Sequence, residues 1–103
     1  MDEKKRQMQI ELDEKTAQGT YANFAVITHS QAEFILDFTR VLPGVPKAKV
    51  QSRILMTPQH AKALLMALEN NIKKFEEKNG SIKIGGKAEL PFGMKIDKDT
   101  LPN

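Results

Sequence analysis

The fold is decided by Thr57-Pro58-Gln59-His60-Ala61-Lys62-Ala63-Leu64-Leu65-Met66-Ala67-Leu68-Glu69-Asn70-Asn71-Ile72-Lys73-Lys74-Phe75-Glu76-Glu77-Lys78-Asn79-Gly80. Thr57 is able to cap a helix with its hydroxyl. Pro58 suits the first turn, where its missing N–H has no partner in any case. At roughly 100° per residue, Ala61, Leu64, Leu65, Leu68, Ile72 and Phe75 fall within one arc, the apolar stripe of a helix that faces a core. Glu69 and Lys73 are spaced i, i+4, and Lys73, Lys74 and Lys78 lie toward the negative end of the helix dipole. Asn79-Gly80 supplies a residue able to take a positive φ and stop the helix. These signals predict one long amphipathic helix over 57–79, laid on one face of a sheet. Met66 shares its other side with Gln59, Asn70, Lys73 and Glu77, a solvated surface. The helix is therefore expected to be a core element and not the binding device.

Upstream, the period changes to two. In Lys49–Met56, Val50, Ser52, Ile54 and Met56 alternate with Lys49, Gln51, Arg53 and Leu55, the pattern of a strand. Pro43-Gly44-Val45-Pro46 forms a turn-rich loop before it. Glu33–Leu42 places Phe34, Leu36, Phe38 and Leu42 in phase, against Ile35, Asp37, Thr39 and Val41. A helical stripe through Phe34, Phe38 and Val41 competes, but aromatic and branched residues ending at Pro43-Gly44 favour a strand. Ser30-Gln31-Ala32 suits a tight reversal. In Tyr21–His29, Phe24 and Val26 lie on one face and Tyr21, Ala25 and Ile27 on the other, so neither face is fully polar. Asp13 to Gly19 reads as a connection, and Gln7–Leu12 as a first strand through Met8, Ile10 and Leu12.

Short loops between neighbouring strands imply antiparallel pairing, because a parallel return needs a crossover of about a dozen residues or more. The expected fold class is α+β, a four-stranded antiparallel meander followed by one long C-terminal helix. Residues 1–6 are expected to be a charged arm, 7–80 a single domain and 81–103 a flexible tail. Within that tail, Ser81–Ile84 is a candidate for a further short strand. Leu90-Pro91-Phe92-Gly93-Met94 is an apolar cluster, read as a loosely ordered end in preference to a docking motif.

A chain of 103 residues is one domain by length. It has no cysteine, which excludes disulfides, thiol chemistry and thiolate metal sites and is compatible with a reducing cytoplasm. No apolar signal-peptide core follows the charged start, and no apolar run approaches the roughly 20 residues of a membrane span. A cytoplasmic location without membrane contact is expected. The net charge of +3 comes from 16 basic and 13 acidic residues. Acids and bases are interspersed, so an ordinary solvated surface is favoured over nucleic-acid binding, which needs clustered Lys and Arg.

The chemistry is sparse. His29 ends a strand and His60 lies in the first helical turn, with no His-x-x-x-His or Glu-x-x-His spacing around it. Gly85-Gly86-Lys87 lacks the full spacing and the strand–helix context of a phosphate loop. No catalytic residue, cofactor or metal is expected, and the protein is not read as an enzyme. Asp37 is the most informative position, because Asp is depleted in strands. A buried carboxylate requires a partner such as Arg40 or Arg53. Tyr21 and Asn23 interrupt an otherwise good strand, and Asn23 is suited to bonding a loop or partner backbone. Tyr21, Asn23, Asp37, Arg40 and Arg53 are the candidate interface residues.

Tyr21-Ala22-Asn23, Glu33-Phe34-Ile35-Leu36-Asp37-Phe38, Ser52-Arg53-Ile54-Leu55-Met56 and Thr57-Pro58-Gln59-His60-Ala61-Lys62 occur in this order. Leu64-Leu65, Ala67-Leu68, Asn71 and Glu76 follow. Over roughly residues 8–80 this set resembles a small prokaryotic family catalogued as a domain of unknown function, which brings no catalytic residues with it. A weaker, architectural likeness is to the export chaperone SecB, whose oligomers hold unfolded chains in apolar grooves. One helix covers one sheet face only, so the two-sided apolar character of Tyr21–His29 and Glu33–Leu42 calls for a second cover. A homo-oligomeric binding or scaffold domain is the leading expectation. Nucleic-acid binding through Lys4, Lys5, Arg6, Lys47, Lys49 and Arg53, and peptide holding in the SecB manner, are the alternatives.

Overall fold

The computed structural model describes residues 7–84. Its elements are a single helical turn α1 (Glu14–Ala17), strands β1 (Phe24–His29), β2 (Phe34–Arg40) and β3 (Lys49–Met56), and helix α2 (Pro58–Asn79). The three strands form one sheet in the order β1-β2-β3, both pairs antiparallel.

Local chemistry sets each reversal. Between β1 and β2 the Ser30 hydroxyl accepts from the N–H groups of Ala32 and Glu33 at 3.2 and 3.3 Å, while the Ser30 N–H donates to the Glu33 carbonyl at 2.9 Å. After β2, the Val45 N–H donates to the Leu42 carbonyl at 3.2 Å. Gly44 sits at φ +75° just after Pro43, the residue order of a type II turn. The ladder shifts between Phe38 and Thr39, which oppose Ser52 and Val50, so Gln51 is the extra residue of a β-bulge. This corrects the simple alternation expected of β3. Ser52, Ile54 and Met56 oppose Phe38, Leu36 and Phe34, whereas Val50 stands opposite Thr39.

The expected fourth strand is absent from the described residues. Met8, Ile10 and Leu12 are 86, 88 and 67% exposed, and Gln7–Leu12 joins no ladder. Alternation defines the two faces of a strand but supplies no ladder partner. Here the chain is turned aside between that segment and β1. Asp13 caps α1 by accepting from the Thr16 N–H at 3.0 Å, and Gly19 follows at φ +80°. Ser81–Ile84 forms no strand either; the Ile82 N–H is tied to the Glu76 carboxylate at 2.9 Å. The charged arm 1–6, tail residues 85–103 and the Leu90–Met94 cluster lie outside the described residues.

Helix α2 keeps the bounds that its caps predict. The Thr57 hydroxyl accepts from the His60 N–H at 3.2 Å, Pro58 opens the first turn, and Gly80 closes the last at φ +91°, donating to the Glu76 carbonyl at 2.9 Å. Thr57→Ala is expected to lower stability by about 1 kcal/mol, with Thr57→Ser close to wild type, as read from urea unfolding midpoints.

Its placement, however, overturns the expected packing. No residue of α2 is buried, and Leu64, Leu65, Leu68, Ile72 and Phe75 are 38–54% exposed. Only β3, from which the helix leaves, gives it more than a fringe of contact. The cause is the connection: Thr57 alone, extended at φ −70° and ψ 159°, separates Met56 from Pro58. One extended residue gives no length in which to fold the helix back, so its stripe is carried away from the sheet. The core is correspondingly small. Leu36 at 5% and Val41 at 1% exposure are the buried apolar residues of the described chain, beside Asp37 and Thr39.

Candidate functional site

Asp37 sits at the centre of β2, where the register sets Val26, Asp37 and Arg53 abreast, with Thr28, Ile35 and Leu55 in the next row of the same face. Asp37 is 1% exposed, and its carboxylate is gripped in a fork, Arg53 Nε donating to Oδ1 at 2.7 Å and Nη2 to Oδ2 at 2.9 Å. Such bidentate, charge-assisted pairs are the stronger and more directional ones. The Arg53 hydrogen bonds hold the Asp37 carboxyl below its ordinary value against the opposing effect of burial, and Asp37 in turn raises Arg53. The Arg53 side chain remains half exposed. Beside this pair, the Thr28 hydroxyl is buried without a hydrogen-bond partner.

Asn23 acts as a clamp at the other end of the sheet. Its Nδ2 donates to the Val41 carbonyl at 2.9 Å and its Oδ1 accepts from the Val41 N–H at 2.8 Å. The amide side chain thus substitutes for one rung of a ladder, just before β1 and just after β2. Two further bonds hold the same corner: Asn23 N–H to the Thr39 carbonyl at 3.0 Å and the Thr39 hydroxyl to the Phe24 carbonyl at 2.9 Å. β1 starts at Phe24 and not at Tyr21, and residue 23 meets Val41 through its side chain and not through a backbone rung.

The structure therefore divides the five candidate residues. Asp37 and Arg53 meet, whereas Arg40 lies over the exposed Tyr21 ring at 5.7 Å and makes no ion pair with Asp37. His29 stacks on its cross-strand partner Phe34 with ring centroids 5.3 Å apart, and His60 Nδ1 lies 3.0 Å from the Thr57 hydroxyl. Among the described residues, no group of three or more His, Asp or Glu is placed to hold a metal ion, and no helix is long and apolar enough to cross a membrane.

Among the described residues, the helix face read as a core element is left uncovered, with Leu64, Leu65, Leu68, Ile72 and Phe75 all exposed. Ala61, Leu65, Leu68, Ile72 and Phe75 recur in steps of four and three, the a/d spacing of a helix–helix seam, with Leu64 beside them. The signal for this was present in the sequence, in the one-residue link at Thr57.

The sequence model of a family described as "Protein of unknown function (DUF3467)" matches residues 1–84. The chain belongs to that family. No curated protein and no solved structure matches it. The fourth strand on which the likeness to SecB rested is not formed within residues 7–84. What the DUF3467 fold presents is an α+β arrangement, a three-stranded antiparallel sheet and then a helix, with apolar surface left open on the helix and the outer strands.

Proposed function

We propose that the protein is a non-enzymatic binding or scaffold domain that works as a homo-oligomer, with Tyr21, Asn23, Asp37, Arg40 and Arg53 at or beside its contact surface. The observation that carries this reading is the contrast between a 22-residue helix with no buried residue and a core holding Leu36 and Val41. The stripe Leu64, Leu65, Leu68, Ile72 and Phe75 is left 38–54% exposed, and apolar surface of that extent on one helix face gains by being covered. A second copy is the partner always present, and an isologous pair covers the same patch twice.

Nucleic-acid binding has less support, because Arg53 is engaged by Asp37 and acidic residues are interspersed with the basic ones along the chain. With no cysteine to oxidise, the protein suits a reducing cytoplasm. Sedimentation velocity at micromolar concentration is expected to show a dimer or larger species, with a thermal midpoint that rises with protein concentration. A monomer that unfolds cooperatively at a concentration-independent midpoint would overturn the proposal.

A further inference from the structure

Building on that homo-oligomer, we infer that its occupant of the α2 stripe is α2 of a second copy, packed antiparallel about a two-fold axis at Leu68. Steps of four and three along Ala61, Leu65, Leu68, Ile72 and Phe75 define a seam for another helix. With Leu68 opposite its own copy, Leu65 faces Ile72 and Ala61 faces Phe75. The smallest seam residue thus meets the largest, as close packing across facing positions requires. A parallel pair would instead set Phe75 against Phe75 and Ala61 against Ala61, crowding one end and leaving a void at the other.

Charge selects the same arrangement. Lys62 and Glu76 flank the seam on one side and face each other across an antiparallel pair, twice by symmetry. Glu69 approaches its own copy at the axis, but Lys73 lies one turn on, at the i+4 position, to offset it. In a parallel pair, neither Lys62 nor Glu76 meets an opposite charge. The area is of the right scale as well. Leu64, Leu65, Leu68, Ile72 and Phe75, 38–54% exposed, leave on the order of 400 Å² open per copy, near the upper end of what a monomer leaves uncovered. Two such patches with their flanking residues approach the roughly 1,000 Å² expected of a specific interface.

Cysteine cross-linking and charge exchange together test this, and the natural chain has no cysteine to interfere. In full-length protein, Leu68→Cys is expected to cross-link to itself with a short bis-maleimide. Ala61→Cys is expected to link to Phe75→Cys in a mixture, and not to itself. Lys62→Glu and Glu76→Lys are each expected to raise the dissociation constant roughly threefold to tenfold, and the double exchange to restore it. Lys62 and Glu76 lie about 21 Å apart along their own helix, so restoration can only come from a neighbouring copy. A dimer in which Leu68→Cys does not self-link, or links instead to Ile27→Cys on the sheet, overturns the helix pairing while leaving the homo-oligomer standing. A monomeric wild type overturns both.

Discussion

Replacing Asn23 with Ala is expected to cost about 2–4 kcal/mol and to release the end of β2 from the start of β1. The side-chain amide satisfies both backbone polar groups of Val41, at 2.8 and 2.9 Å. Val41 is almost wholly buried, so water does not replace either bond, and a buried group left without its partner costs about 1–3 kcal/mol. Domains of this size hold only about 5–15 kcal/mol in total, so the urea midpoint should fall steeply. Asn23→Asp discriminates between loss of shape and loss of a donor. It keeps the acceptor for the Val41 N–H but sets a carboxylate oxygen against the Val41 carbonyl. Its folded pKa is thereby raised, so its deficit should be large at neutral pH and narrow as pH falls through that raised value, when a protonated oxygen is again able to donate. A variant no less stable than wild type across that range would show that the clamp is not what closes this corner.

The ease of reading α2 and the difficulty of reading its neighbours have one physical cause. Thr57, Pro58 and Gly80 act within a turn or less of the residues they cap, so the helix bounds follow from local sequence. The bounds of β3 are equally local, set by alternation between Pro46 and Thr57. The amphipathic stripe states what must be covered and is silent on what covers it. For that, the single extended residue between Met56 and Pro58 carries more information than the stripe itself. Gln7–Leu12 fails for the same reason, because its alternation is intact but its ladder partner is a non-local matter. At the site, Asp37 advertises a need for an opposite charge, and the choice of Arg53 over Arg40 is made by register across β2 and β3. Asn23 advertises only that it is a poor strand residue. Its partner Val41 lies 18 positions away, beyond any local rule.

The Asp37–Arg53 pair predicts opposite pH dependences for its two halves. In the wild type, the Arg53 hydrogen bonds hold Asp37 below its unfolded value, so the folded state releases that proton more readily. The resulting stability is present above about pH 4, the ordinary carboxylate value, and is lost as pH falls through the lower folded pKa. Asp37→Ala should remove that acid limb and cost about 2 kcal/mol at neutral pH, the scale of hydrogen bonds to a charged group. The figure stays modest because a sheet one layer thick desolvates a carboxylate less than a deep core does. Arg53→Met leaves the carboxylate covered and unpaired, so burial alone now acts and raises its pKa above the unfolded value. Its deficit should then be greatest at neutral pH and narrow as pH falls through the raised pKa. Asp37→Leu combined with Arg53→Met should recover most of the stability at pH 7, since an apolar pair needs no compensation. Urea titrations at several pH values would read all three. A double variant as weak as Arg53→Met alone would mean that the fork holds the sheet together by more than mutual neutralisation. If the double variant folds well but no longer self-associates, the pair's value lies in the contact between copies and not in the chain that carries it.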